Sequence, residues 1–428
     1  MSYTLVLFST FIVLLLMGSP IAVALGVSAM ATFLVADQDL SSIVQIAFNS
    51  VNSFPIMALP AFVLAGALME GAGISRRLVH IAEAMTGKIS GGLAISTTLA
   101  CVFFGAISGS GPATTAAIGM LMIPAMIRNN YDPRYAGATT ATAGGIGIII
   151  PPSIPMVIYG VTAQVSITKM FVAGVVPGLL IASTLVLTHY LYCRNKGLQA
   201  SPEVLATHNL KKAVRDGVWA ILAPLIILGG IYSGFFTPTE SAIVAIFYTL
   251  FIGLFVYKEL TLKGIMRSLE TCSWLTGRVL IIMFTAYAFG RLLVQYKIPE
   301  VIASSILSLT TEPVIIWALV IAFLLFIGMF METLAIIMLV TPVLLPVMIS
   351  LGVDPIHFGI ILVCCCAVGF STPPLGENLF IASGISDVSL EELSLKAIPF
   401  CLAMLAAIIV LAIFPQLVLT LPNLFGFK

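Results

Sequence analysis

The residues best suited to binding chemistry lie in two short, oxygen-rich constellations set in apolar sequence. The first pairs Ser108-Gly109-Ser110-Gly111-Pro112-Ala113-Thr114-Thr115 with Gly144-Gly145-Ile146-Gly147-Ile148-Ile149-Ile150-Pro151-Pro152-Ser153. The second pairs Gly328, Met331, Glu332 and Thr333 with Gly369-Phe370-Ser371-Thr372-Pro373-Pro374-Leu375-Gly376-Glu377-Asn378. Glycines and a Pro-Pro pair inside an apolar segment interrupt the helical hydrogen-bond ladder, because proline lacks a donor and clashes with the carbonyl one turn back. The freed carbonyls need partners, and a desolvated cation such as sodium is one. Half-helix N-termini, in turn, favour anionic groups. The spacing therefore predicts sodium ligation by Ser108, Gly109, Ser110, Gly145, Ile148 and Pro151 at the first junction. At the second it predicts ligation by Met331, Glu332, Thr333, Gly369, Thr372 and Gly376. An anionic substrate between the tips is expected to meet Ser108, Thr114, Ser371, Thr372 and Asn378. Glycine and proline also simply kink membrane helices; recurrence of both motifs opposite polar tips favours binding.

Composition narrows the class. Of 428 residues 60% are hydrophobic and 9% charged, far below the roughly 25% charged of soluble domains. Mean hydropathy is +1.14. A net charge of +1 gives no footprint for nucleic acid. Cys364-Cys365-Cys366 are consecutive and fit neither a disulfide framework nor a zinc site. His80, His189, His208 and His357 are scattered. There is no metal-protease spacing, nucleophile elbow or Walker loop, so the reading is not an enzyme. Energy for transport must then come from an ion gradient or another chain. Met1–Met17 reads as a retained membrane helix and not as a signal peptide.

The elements that would position the two constellations repeat. Adding 222 carries Pro124 onto Pro346, Asp132-Pro133 onto Asp354-Pro355, Pro151-Pro152 onto Pro373-Pro374 and Pro177 onto Pro399. Crossings are expected near 3–17, 20–35, 53–71, 134–166 and 168–192, then 218–234, 238–257, 271–295, 356–386 and 394–420. Between them, 92–127 and 311–350 read as re-entrant hairpins, whose polar tips cannot face lipid. Five crossings per half, an odd number, insert the second repeat upside down. The expected fold is an all-α polytopic membrane protein of two inverted repeats, 1–192 and 218–428, joined by a linker at 193–217.

Charge orients the chain. Arg194, Lys196, Lys211, Lys212 and Arg215 in the linker, Arg76, Arg77 and Lys88 in 73–91, and Lys258, Lys263 and Arg267 in 258–270 are placed in the cytoplasm by the positive-inside rule. Asp37 and Asp39 then lie outside, as do both termini. Residues 74–90 carry an apolar stripe (Ile74, Leu78, Ile81, Met85) suited to a helix lying along the membrane surface. Intramembrane charges are functional candidates by default. Glu332 and Glu377 stand at the second constellation, and Glu240 reads as a helix N-terminal carboxylate. Arg278 and Arg291 read as snorkelling or as contacts with a partner subunit.

At these residues the chain resembles a known family. Ser108–Thr114, Gly147–Pro152, the run Gly230-Ile231-Tyr232-Ser233-Gly234-Phe235-Phe236-Thr237-Pro238-Thr239-Glu240 and Thr372-Pro373-Pro374 are similar to the large membrane subunit of tripartite ATP-independent periplasmic (TRAP) transporters. The resemblance covers essentially the whole chain and looks most like the sialic-acid branch. It implies a sodium-coupled (Na+) importer of organic acids in the bacterial inner membrane, sialic acid first and four-carbon dicarboxylates next. It further implies an elevator motion, with a transport domain built from about 92–166 and 311–386 held by a scaffold. The implied partners are a small four-helix membrane subunit and a soluble periplasmic substrate-binding protein, in contact with membrane lipid. A stand-alone sodium/organic-acid symporter and an ion channel are the alternatives.

Overall fold

The computed structural model describes residues 3–52, 54–86, 89–197, 210–310 and 312–426. Lys88 and residues 198–209 of the linker fall outside them. Every described element is helical, as a chain in lipid requires when it must satisfy its own backbone. The first repeat runs α1 (Tyr3–Leu16), α2 (Ile21–Val35), α3 (Ser41–Val51), α4 (Ala58–Gly71) and α5 (Ile74–Thr86). It continues with α6 (Gly92–Ser108), α7 (Gly111–Arg128), α8 (Pro133–Gly144), α9 (Ile154–Thr162) and α10 (Ile167–Lys196). The second runs α11 (Leu210–Tyr232), α12 (Pro238–Phe251), α13 (Leu262–Gln295), α14 (Ile298–Leu309) and α15 (Pro313–Gly328). Then follow α16 (Thr333–Ser350), α17 (Pro355–Gly369), α18 (Glu377–Ser386), α19 (Leu390–Ile413) and α20 (Gln416–Leu424). Adding 222 to α7 gives the span of α16 residue for residue, so the duplication seen in the prolines is structural.

Local chemistry explains where these helices start. Asp132 and Asp354 are repeat mates, and each carboxylate accepts a backbone N–H of the helix that follows (Arg134 at 3.0 Å, Ile356 at 2.7 Å). Proline then occupies the first helical position, where its missing donor costs nothing. Thr237 and Glu240 form a reciprocal capping box at α12, which gives Glu240 the structural role expected of it.

Two helical groups result. In one, α4 packs on α12 and α13, α13 also holds α2 and α3, and α5 rests on α11. In the other, α7, α8 and α18 pack mutually, α19 lies against α8 and α10, and α9 lies against α16. They meet mainly along α5–α6 and α13–α16. The two hairpins (α6/α7, α15/α16) and the two broken helices (α8/α9, α17/α18) all fall in the second group.

Several boundaries differ from expectation. The crossing placed at 271–295 is the C-terminal part of one 34-residue helix that absorbs most of the supposed 258–270 loop. No proline interrupts it, and Lys263, Arg267 and Glu270 sit on its helical turns. In the first repeat the equivalent stretch is broken, because Asn52 ends α3 and Phe54-Pro55 turn into α4. The crossing placed at 394–420 stops at Ile413, where Pro415 starts the separate helix α20. The stretches between the expected crossings hold two further amphipathic helices, α3 packed on α13 and α14 packed on α16. Among the described residues seven helices are long and apolar enough to cross a membrane; α1, α2, α6, α15 and α17 are apolar but shorter.

The orientation has a direct test. Cysteines introduced at Ala36 and at Gly197 should react with an impermeant maleimide from opposite sides of the membrane, Ala36 from outside. Labelling of both from one side would exclude an odd number of crossings between them.

Candidate binding site between the hairpin tips and the broken helices

Each hairpin tip is stitched to a helix break by its backbone. The Ile154 N–H donates to the Gly109 carbonyl (3.1 Å), and in the second repeat the Leu375 N–H donates to the Met329 carbonyl (2.9 Å). Both Pro-Pro peptides at these breaks are cis. Glycine makes the approach possible. A Cβ on Gly105 would stand 2.8 Å from the Gly147 Cα, and one on Gly369 would stand 3.1 Å from the Gly328 Cα. The same backbone-to-backbone packing thus occurs in both repeats.

At the first junction, Ser108 Oγ lies 2.8 Å from Thr114 Oγ1, whose hydroxyl donates to the Ser110 carbonyl at 2.7 Å. Ser110 caps α7 by accepting the Ala113 N–H. Ser108 and Thr114 are buried, so this is a desolvated oxygen cluster with no charged side chain in it. The helix break supplies Gly147, where a Cβ would lie 2.4 Å from Thr114 Oγ1 and 2.9 Å from the Ser110 oxygen. The Ile148 carbonyl accepts Ser153 Oγ at 2.5 Å, leaving one lone pair. Ser108, Ser110 and Thr114 are brought together against Gly147, and Gly109 meets the turn at Pro152–Ile154. A Cβ on Gly145 would stand 2.8 Å from the Ala367 carbonyl on the other broken helix, so this glycine packs between the two breaks. Gly147 is the residue that meets the tip. It stands in the same glycine run, two positions on, and the helical phase decides between them.

At the second junction Met331 and Thr333 are buried, and Gly369 packs on Gly328. Thr372 Oγ1 turns back to the Val368 and Gly369 carbonyls of its own helix (3.2 and 3.1 Å). Gly376 takes a left-handed conformation (φ +39°) ahead of α18. The carboxylate of Glu332 pairs with Arg278 of α13 at 2.7 Å. That ion pair, between residues 54 apart, also replaces the snorkelling expected for Arg278. Glu377 stands near enough to feel both charges.

The two broken helices cross where the repeats meet. The Ala141 carbonyl of α8 accepts both Asn378 Nδ2 (2.9 Å) and Ser371 Oγ (3.2 Å). Asn378 is fully buried, and its Oδ1 has no partner among the described residues. Thr115 Oγ1 is likewise buried without a partner and faces Gly144, whose Cβ it would forbid. Unpaired buried oxygens cost free energy, of order 1–3 kcal/mol each, unless a ligand or water meets them. Ala141, Gly144 and Thr115 were not anticipated. A carbonyl contribution leaves no trace in residue type, and Thr115 was quoted only as part of the tip.

With this geometry in place, the sequence was compared with known proteins. It matches the family model "Tripartite ATP-independent periplasmic transporter, DctM component" over residues 8–417. It is 44% identical over 413 residues to the isethionate TRAP transporter permease protein DctMQ of Oleidesulfovibrio alaskensis, covering 96% of this chain and 65% of that protein. It is 40% identical over 404 residues to the C4-dicarboxylate TRAP transporter large permease protein DctM of Pseudomonas aeruginosa, covering 94% of each. The sialic acid TRAP transporter large permease protein SiaM of Vibrio cholerae is 34% identical over 413 residues, covering 96% of each. Among solved structures, the YdaH transporter of Alcanivorax borkumensis aligns with a TM-score of 0.66 at 13% identity, covering 88% of this chain and 89% of that one, a likeness of fold.

Proposed function

The chain belongs to the DctM-component family of tripartite ATP-independent periplasmic transporters, and from that premise we propose that it imports a small organic anion by sodium coupling, taking it from a soluble periplasmic binding protein. As a large permease of this family it is a multi-pass protein of the bacterial inner membrane, a secondary transporter of organic acids, and not an enzyme. The observation that carries the sodium reading is the buried, uncharged oxygen cluster of Ser108, Ser110 and Thr114 against the break at Gly147–Ile148. Neutral hydroxyl and carbonyl oxygens suit a monovalent cation, because they replace its water without adding charge. A second cation belongs at the Met331–Thr333 tip beside Gly369. The anion sits between the tips, with Asn378 Oδ1 and Thr115 Oγ1 toward it or its ordered water.

For the substrate, a short alkanesulfonate of the isethionate type or a four-carbon dicarboxylate is favoured over sialic acid. The support is the order of identities, 44%, 40% and 34%. The group containing both hairpins moves against the group of α4, α5, α12 and α13, and a small membrane subunit completes the scaffold. Proteoliposome uptake with the binding protein and the small subunit is the test. Uptake should require an inward sodium gradient and should be competed by isethionate or succinate. Replacing Ser110 by leucine should abolish it while leaving the protein folded. Sodium-dependent uptake intact in that variant would remove the first cation site, and uptake without the binding protein would favour a stand-alone symporter.

A further inference from the structure

The two hairpin tips touch the static helices at places that are not equivalent. At the first tip, Ser108 lies against Gly66 of α4, where a Cβ would stand 3.3 Å from the Ser108 Cα. At the second, Glu332 reaches Arg278 of α13. The 222-residue offset carries Gly66 onto Ala288 and Ile56 onto Arg278. With the hairpins midway between the two repeats of the scaffold, Phe330, the mate of Ser108, would lie at Ala288. Instead Glu332, two residues beyond Phe330, reaches Arg278 through its side chain, ten positions short of Ala288 along α13, roughly 15 Å of helix.

Inverted repeats that move against each other possess a mirror position in which the two sets of contacts are exchanged. In that position the second tip lies at Ala288. The next turn of the same helix carries Arg291, three residues on, a spacing that makes the two neighbours on one face. Arg291 lines a cavity of about 1000 Å³ whose walls include Gln45, Gln164 and Gln295 but no carboxylate. Pro342 of α16 already packs beside Gly290 on this stretch of α13 and borders the same cavity. The Glu332 side chain is only 17% exposed, and a carboxylate that crossed lipid-flanked protein without a cation at its destination would be stranded.

We propose that Arg291 is the second resting partner of Glu332: the carboxylate leaves Arg278 and pairs with Arg291 when the hairpin rises into this cavity. Arg291 is thus a positioning residue for the outward state, and the inference rests on the moving-domain reading above. The test keeps all three charges and reports the mirror position through Phe330 and Ala288, the repeat mates of Ser108 and Gly66. In the assembled transporter with Cys272 and Cys401 replaced, Phe330→Cys and Ala288→Cys should cross-link during turnover. Adding Arg291→Gln should lower that cross-link and the maximal uptake rate roughly tenfold with KM unchanged, and Arg291→Lys should restore both. A cross-link of equal yield with Arg291→Gln would overturn the role of Arg291 while leaving the moving domain in place. Failure of the 330–288 pair to form with all charges intact, in protein that still transports, would overturn the moving-domain reading itself.

Discussion

A single methyl group at Gly105 should abolish sodium-driven uptake, whereas the same change at Gly328, the glycine that meets the second helix break at Gly369, should leave a measurable rate. The added Cβ at Gly105 would stand 2.8 Å from the Gly147 Cα, a backbone atom that cannot rotate away. Gly147 in turn has Thr114 Oγ1 and the Ser110 carbonyl directly over its Cα. Relief of the clash therefore pushes the helix break into the oxygen cluster. Overpacking of this kind costs about 1–3 kcal/mol in a close-packed core, and here the displaced atoms are the proposed ligands. A Cβ on Gly328 would lie 3.4 Å from the Gly369 Cα, an ordinary contact. Uptake in proteoliposomes, with thermal stability of each variant measured alongside, decides the matter. Equal losses at Gly105→Ala and Gly328→Ala would show that tip geometry at the first junction does not limit transport.

The second large effect is expected at Asn378. Asn378→Leu removes the amide that ties α18 to the Ala141 carbonyl across the repeats, and it removes a buried oxygen that has no partner among the described residues. Loss of a buried polar partner costs about 1–3 kcal/mol, roughly a five- to hundredfold change in an equilibrium constant. Ser371→Ala should be milder, because it removes the longer of the two bonds to that carbonyl and takes away no unpaired oxygen. Substrate-saturation curves should show Asn378→Leu raising KM as well as lowering the rate, with Ser371→Ala changing KM little. A normal KM in Asn378→Leu would place the substrate away from the crossing of the broken helices.

Much of this architecture can be read from residue types, because the features that build it are covalent. Proline and glycine act on their own backbone, so Pro151-Pro152 and Pro373-Pro374 mark the breaks, and Ser108–Pro112 marks a tip, without knowledge of the neighbours. The continuity of α13 could not be read in the same way. Lys263, Arg267 and Glu270 signal polarity equally well in a loop and on the exposed turn of a helix. The decisive side-chain pairings are also long-range. Asn378 and Ala141 are 237 residues apart, and Glu332 and Arg278 are 54 apart. Only the packing of one repeat against the other joins Asn378 to Ala141, and only the packing of the hairpin on α13 within the second repeat joins Glu332 to Arg278. The choice between Gly145 and Gly147 needed the phase of a helix that unwinds between them, and sequence periodicity is lost at that point.

The unbroken helix α13 has a further consequence. Its 34 residues extend for roughly 51 Å, well beyond the roughly 30 Å of a bilayer's hydrocarbon layer. A rod of that length must lean within the membrane or stand proud of it, and the lean is set by the thickness of the lipid around it. The contact at Arg278 and the one proposed at Ala288 lie on this rod, so any change in its inclination changes the depth at which both occur. Acyl-chain length thereby enters the energetics of the transport cycle as a mechanical variable. The first repeat, bent between α3 and α4, can absorb the same change locally at the short turn Phe54–Met57.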